Sequence, residues 1–115
     1  MKKLFSLLIL SLLLNPVFAK DKQSDTLIVK TKIYCDHCLT CTSCGANIKK
    51  SIKKNKGIKK VSINPEANTI TIIYLPAETN ADTIRKAITE AGFDADELKA
   101  TADGYAKLDG CCKAR

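Results

Sequence analysis

Apolar and polar positions alternate between residues 26 and 34, where Leu27, Val29 and Ile33 fall on one side of an extended chain. That is the pattern of a half-buried strand. From residue 45 the period lengthens. Cys44, Ile48 and Ile52 are spaced by four, which puts them on one face of a helix over 45–56, and Gly57 stands where a helix stops. Val61 and Ile63 begin a second strand, Asn64-Pro65-Glu66-Ala67-Asn68 carries turn chemistry, and the β-branched run 69–75 predicts a third strand. Asn80 is placed to cap a second helix with Ala81, Ile84, Ile88 and Ala91 on its inner face, ended by Gly92. Residues 93–98 read as a last strand. The order β-α-β-β-α-β predicts an α+β fold, a four-stranded antiparallel sheet with two helices on one face. A short helical tail over 101–109 follows, before Gly110-Cys111-Cys112.

The first residues have a different character. Lys2 and Lys3 precede an apolar run over 4–14 broken only by serines, and Val17-Phe18-Ala19 leaves small residues at the −3 and −1 positions of a cleavage site. This is the anatomy of a secretory signal peptide over 1–19. The run is shorter than the ~20 residues a membrane-spanning helix needs. The mature chain is therefore expected from about Lys20, periplasmic or secreted, with no membrane association after cleavage. The net charge of +7 includes Lys2 and Lys3, so the mature domain is only mildly basic. Aromatic residues are 5% of the chain and Trp is absent, which argues against a base-stacking nucleic-acid surface.

All six cysteines lie in the mature part, and for an exported protein the default reading of an even count is a disulfide framework. Four of them, Cys35, Cys38, Cys41 and Cys44, fall in one short stretch with two residues between each and the next. Pairing within that stretch closes very small loops and restrains the unfolded chain little. Metal binding explains the clustering better. Cys41-Thr42-Ser43-Cys44 straddles the predicted strand-to-helix junction, so one sulfur sits on the loop and the other on the first helical turn. Backbone N–H groups and the positive helix end favour thiolate over thiol there. Converging thiolates suit Cu(I) and Zn(II), and by the same softness Hg(II), but not Mg or Ca. An iron–sulfur run requires a wider last gap followed by Pro; here Gly45 follows Cys44.

Leu39-Thr40-Cys41-Thr42-Ser43-Cys44, with Ile48, Ile52, Gly57-Ile58, Val61 and Asn64 downstream, resembles the heavy-metal-associated domain. That family comprises the ferredoxin-like modules of copper chaperones, metal-pumping ATPase N-termini and periplasmic mercury-binding proteins. The resemblance covers about residues 26–98, leaving 99–115 as a cysteine-containing tail, and Ala91-Gly92-Phe93 looks like the family's Gly-aromatic segment beside the metal loop. It implies that Cys41 and Cys44 are the metal thiolates. Leu39 replaces the family's usual Met, and Thr40 stands where zinc-type members often carry Asp, which tilts the expected ion towards Cu(I). Cys35 and Cys38 extend the motif upstream as further donors or a second binding point; His37, between them, is a candidate ligand or a plain loop residue.

Two features fall outside the motif. Cys111 and Cys112 are either tail thiols, a tail disulfide among the possibilities, or ligands returned to the metal loop. A helix over 101–109 advances the chain by about 13 Å at 1.5 Å per residue, enough to bring them back to the rim of 35–44. Lys49, Lys50, Lys53, Lys54, Lys56, Lys59 and Lys60 form a basic run uninterrupted by acids, either a solvated face or a surface that steers docking onto an acidic partner. The sequence thus points to an exported protein that sequesters or relays Cu(I), with Zn(II) and Hg(II) as alternatives. A metal-transporting ATPase or another metal-transfer protein is the implied partner. No catalysis is expected, since no nucleophile–base pair is visible. The alternatives are a thiol–disulfide redox protein using its C-x-x-C pairs and a metal-responsive interaction module.

Overall fold

The computed structural model describes residues 23–34 and 44–113. The expected signal peptide, Cys35, His37, Cys38 and Cys41 lie outside the described residues. Strand β1 runs over Asp25–Lys30, helix α1 over Cys44–Lys53, β2 over Ile58–Asn64, β3 over Thr69–Tyr74 and α2 over Ala81–Glu90. The period-two reading of the first strand holds within β1, where Val29 is buried and Ile28 beside it is 61% exposed on the other side, but the strand ends at Lys30, short of the expected residue 34. No helix among the described residues is long and apolar enough to cross a membrane.

The sheet is antiparallel in the order β1-β3-β2. β3 lies in the middle because both its edges find partners: Val29 and Ile63 both stand opposite Ile70, and Leu27 and Val61 both stand opposite Ile72. Ile70 and Ile72 point to the covered face, where α1 and α2 supply Ile48, Ile52, Ile84 and Ile88, all fully buried. Each such side chain contributes about 1.5–3 kcal/mol relative to exposure. The helices also share a directed contact, Ser51 Oγ donating to the Ala87 carbonyl at 2.7 Å. Asn80 caps α2 as expected, its side chain accepting from Thr83 N at 2.9 Å.

The fourth strand expected over 93–98 does not form: among the described residues the sheet has three strands. Asp96 adopts a left-handed φ of 52°, which breaks an extended run. Ala95 and Leu98 consequently bond each other, each N–H donating to the other's carbonyl at 2.9 Å, instead of continuing along β1. The segment meets β1 at Lys30. Asp96 N donates to the Lys30 carbonyl and Lys30 N donates to Asp96 Oδ1, both at 2.8 Å. The Asp96 carboxylate takes the place of the backbone carbonyl that a paired strand would offer.

The turn between β2 and β3 reaches the chain that leaves β1. Asn68 sits at φ 53°, a conformation Asn tolerates better than most side chains. Its carbonyl accepts from Thr31 N at 2.9 Å and its side-chain oxygen from Ile33 N at 3.1 Å. The hairpin thus holds the chain leaving β1 just before the cysteines begin.

Candidate metal centre

Cys44 opens α1 and is fully buried. Its position follows from the helical spacing that places it in line with Ile48 and Ile52, so the side chain that starts the helix also closes one end of the core. Phe93, which follows Gly92 at the end of α2, is 3% exposed and belongs to the same cluster.

The tail completes this end of the molecule. Helix α3 spans Ala102–Ala106, shorter than the helix expected over 101–109, and a single 3-10 turn covers Gly110–Cys112. Thr101 caps α3, its hydroxyl accepting from Gly104 N at 3.1 Å while its own N–H donates to the Thr89 carbonyl at 3.0 Å. The helix then lies almost in backbone contact with the end of α2. A Cβ on Gly92 would sit 2.5 Å from the Gly104 carbonyl oxygen, and a Cβ on Gly104 would sit 2.5 Å from the Glu90 carbonyl oxygen. Gly92 also has φ +98°, which L side chains rarely adopt. Leu108 is consequently buried in the core, and Cys112 follows it to 2% exposure.

Cys112 arrives on Cys44. The two are joined as a disulfide with Cα atoms 6.1 Å apart, across a sequence separation of 68. Cys111, which is exposed, keeps its sulfur 3.9 Å from that of Cys112. The sulfurs of Cys44, Cys111 and Cys112 all lie within 4.8 Å of one another. A hollow of about 160 Å³ borders Cys112, with Tyr34, Phe93 and Tyr105 among its walls. Lys113 Nζ lies 5.7 Å from the centre of the Tyr105 ring.

Beneath the tail, ionic contacts hold the loop that replaces the fourth strand. Arg85 Nε donates to Asp96 Oδ2 at 2.8 Å, and Arg85 Nη1 lies 3.2 Å from Asp82 Oδ1. Partial burial pushes the Asp96 carboxyl up, but the Arg85 and Lys30 hydrogen bonds and their charges outweigh it and hold the group below the usual range. The hydrogen bond to Asp96 chiefly raises Arg85 in turn. Asp94 Oδ1 accepts from Ala100 N at 2.9 Å, which turns the chain into the tail.

Of the expected ligands, the structure describes Cys44. It also brings in Cys111 and Cys112, the pair whose return to the metal loop was one of two sequence readings. Of the residues that dock the tail, Gly92 was read as the helix stop and part of the Gly-aromatic segment, whereas Thr89, Thr101 and Gly104 had no functional reading in the sequence. A glycine inside a predicted short helix, at Gly104, is the signal that points to a close backbone approach.

Residues 32–94 match the heavy-metal-associated domain. The mercuric transport protein periplasmic component of Serratia marcescens is 32% identical over 93 residues, covering 81% of this chain and 93% of that one. A copper-transporting ATPase of Oryza sativa, HMA4, is 34% identical over 61 residues, 53% of this chain and 6% of the ATPase. Among solved structures, the crystal structure of oxidized MerP from Ralstonia metallidurans CH34 matches with a TM-score of 0.54 and 23% identity, covering 64% of this chain and 96% of that one. This last likeness shows the fold. A small α+β module with cysteine sulfurs gathered at the start of its first helix defines the class. The chain belongs to the heavy-metal-associated domain family.

Proposed function

We propose that this protein is an exported carrier of a soft, thiophilic metal ion, held by thiolates at the N-terminal end of α1 with Cys41 and Cys44 as the primary pair. The observation that carries the reading is the gathering of sulfurs around Cys44, at the first residue of α1, in a chain of this family. Backbone N–H groups at a helix start favour thiolates there, and thiolates select soft ions. The relative matched over 93% of its length is named for mercuric transport, so Hg(II) is the first ion to offer. Cu(I), the ion favoured by the sequence, is the second, and Zn(II) the third. Cys35 and Cys38 serve as additional donors or a relay point.

The carrier hands its ion to a membrane transporter, an ATPase or another metal-transfer protein, by exchange between thiolates. Lys50, Lys53, Lys54, Lys59 and Lys60 are exposed and supply a basic face for docking onto an acidic partner. The periplasm is the expected compartment, in line with the name of the matched relative. The Cys44–Cys112 bond favours one rival, a thiol–disulfide exchange protein. Both of its sulfurs are buried, at 0% and 2% residue exposure, which slows external thiolate attack to a rate that suits occasional reduction and not the repeated exchange of a turnover enzyme. Carriage, not catalysis, is the better reading.

The test uses protein purified after expression of the full chain, reduced, freed of reductant and offered Hg(II), Cu(I) and Zn(II) in competition. Stoichiometric binding of a soft ion with matching loss of titratable thiols is expected, and Cys41→Ser/Cys44→Ser should weaken it sharply. If the reduced protein binds none of the three more tightly than that variant does, the reading is wrong. Catalytic disulfide turnover by metal-free protein would favour the redox rival.

A further inference from the structure

The family resemblance stops short of the tail, and the family match ends at residue 94. Yet the tail is built into the domain. Thr101 binds the Thr89 carbonyl, Gly104 lies against the backbone of Glu90 and Gly92, and Leu108 enters the core. These contacts fix where residues 110–112 end, and they end at the first residue of α1. A dangling thiol pair needs none of this. A simple staple uses only one tail sulfur, and here two adjacent ones arrive.

We propose that Cys111 and Cys112 are metal ligands, completing with Cys44 a soft-metal centre of three or more thiolates that the C-terminal tail closes over the ion. The inference rests on the soft-metal reading of the preceding subsection and extends its ligand set. The geometry argues for it. Sulfurs bound tetrahedrally to one ion at about 2.3 Å stand about 3.8 Å apart. Cys111 and Cys112 sulfurs are already 3.9 Å apart, and all three fall within 4.8 Å. The Cys44 and Cys112 sulfurs, now bonded to each other, separate to receive the ion. Cys112 is buried and Cys111 exposed, so one tail ligand sits inside the domain and the other at its mouth, where an incoming thiolate can reach the ion.

In this scheme the Cys44–Cys112 disulfide is the oxidised, ion-free form of the same centre. It is two electrons more oxidised than the thiolate pair. A dithiol supplies both electrons: its two thiolate sulfurs join as a disulfide, the Cys44–Cys112 bond breaks, and the two protein sulfurs leave as thiolates. The soft cation then takes them. Ion and disulfide compete for the same two sulfurs, so an oxidised chain does not carry an ion at this position.

The test compares reduced wild-type protein with Cys111→Ser/Cys112→Ser, using Hg(II) as the probe. X-ray absorption counts the sulfurs on the ion, and competition with a small dithiol measures affinity. Wild type should show at least three sulfurs. The double variant should show one or two fewer and bind about 10–100-fold more weakly, the range seen when even a supporting group of a metal site is lost. An unchanged sulfur count and affinity would overturn the proposal while leaving the Cys41–Cys44 carrier intact. Failure of wild type to bind at all would overturn both. A second measurement needs no variant: iodoacetamide mapping of reduced wild type with and without one equivalent of Hg(II). Protection of Cys111 and Cys112 by the ion supports the proposal, and alkylation at the ion-free rate refutes it.

Discussion

Breaking the Cys44–Cys112 bond should remove a large part of the domain's stability, and the size of the loss can be worked from chain topology. The bond spans a sequence separation of 68, so it closes most of the mature chain into one loop in the unfolded state. The loop-closure relation gives about 4 kcal/mol for a loop of that length, if native packing is unstrained. Domains of this size have about 5–15 kcal/mol in total. Reduction therefore leaves a folded but weakened protein, held by the isoleucine core between the sheet and α1 and α2.

The assay is urea unfolding followed by far-UV circular dichroism, with and without a dithiol. At a slope of about 1–1.5 kcal/mol per molar urea for a small domain, a loss of 4 kcal/mol moves the midpoint down by about 3 M. The oxidised protein should also show the shallower slope, because its cross-linked unfolded state exposes less surface. Cys112→Ser without reductant should match reduced wild type. Adding a soft ion to the reduced protein should restore about 2.7 kcal/mol when free ion stands at 100 times the dissociation constant. A midpoint indifferent to dithiol, or the same dithiol shift in Cys112→Ser, would refute the bond's role as the staple between tail and helix.

Three further outcomes are expected. Gly104→Ala should cost about 1–3 kcal/mol, the usual penalty for overpacking, because its Cβ meets the Glu90 carbonyl oxygen at 2.5 Å. It should also raise the alkylation rate of Cys112 in reduced protein, and no change in either readout would show that the tail does not dock through this glycine. Asn68→Ala should cost about 1–2 kcal/mol, since it leaves Ile33 N without its 3.1 Å acceptor and puts Ala at positive φ; a melting temperature equal to wild type would contradict this. Asp96 titrates below its ordinary value of 3.8 when folded. The stability it contributes is thus complete above that pH and lost as pH falls through the lowered folded value. Acid unfolding of Asp96→Asn should lack this component, and a profile parallel to wild type between pH 2 and 5 would remove Asp96 from the account.

The elements that bury one regular face were legible in the sequence. Val29 in β1, Ile48 and Ile52 in α1, and Ile84 and Ile88 in α2 repeat at the periods of their structures, and all are buried. Residues 93–98 were misread for a physical reason. Phe93 and Ala95 do alternate inwards and are buried, but hydropathy carries no signal of the left-handed Asp96 or of a carboxylate that substitutes for a strand carbonyl. The cysteine motif was legible in the sequence, and Cys44, its last member, opens α1 where the spacing placed it. Partnership between Cys44 and Cys112 was less so, because pairings at a separation of 68 depend on tertiary docking that no local pattern encodes.

The docking of the tail also bears on how such a carrier would release its cargo. A pair of thiolates at a helix start is open on its outer side, and a partner's thiolates can displace it by direct attack. Closing the ion with tail sulfurs raises the coordination number and slows spontaneous loss, yet it does not seal the site if the outermost ligand stays exposed, as Cys111 is. Displacement can then begin at that exposed sulfur and proceed inwards, with Cys112 and Cys44 the last to let go. The close Gly92–Gly104 contact keeps the tail near throughout, so release requires exchange of ligands one at a time and no unfolding of α3. In the proposed scheme oxidation acts as a stop, since joining Cys44 to Cys112 occupies both inner sulfurs at once.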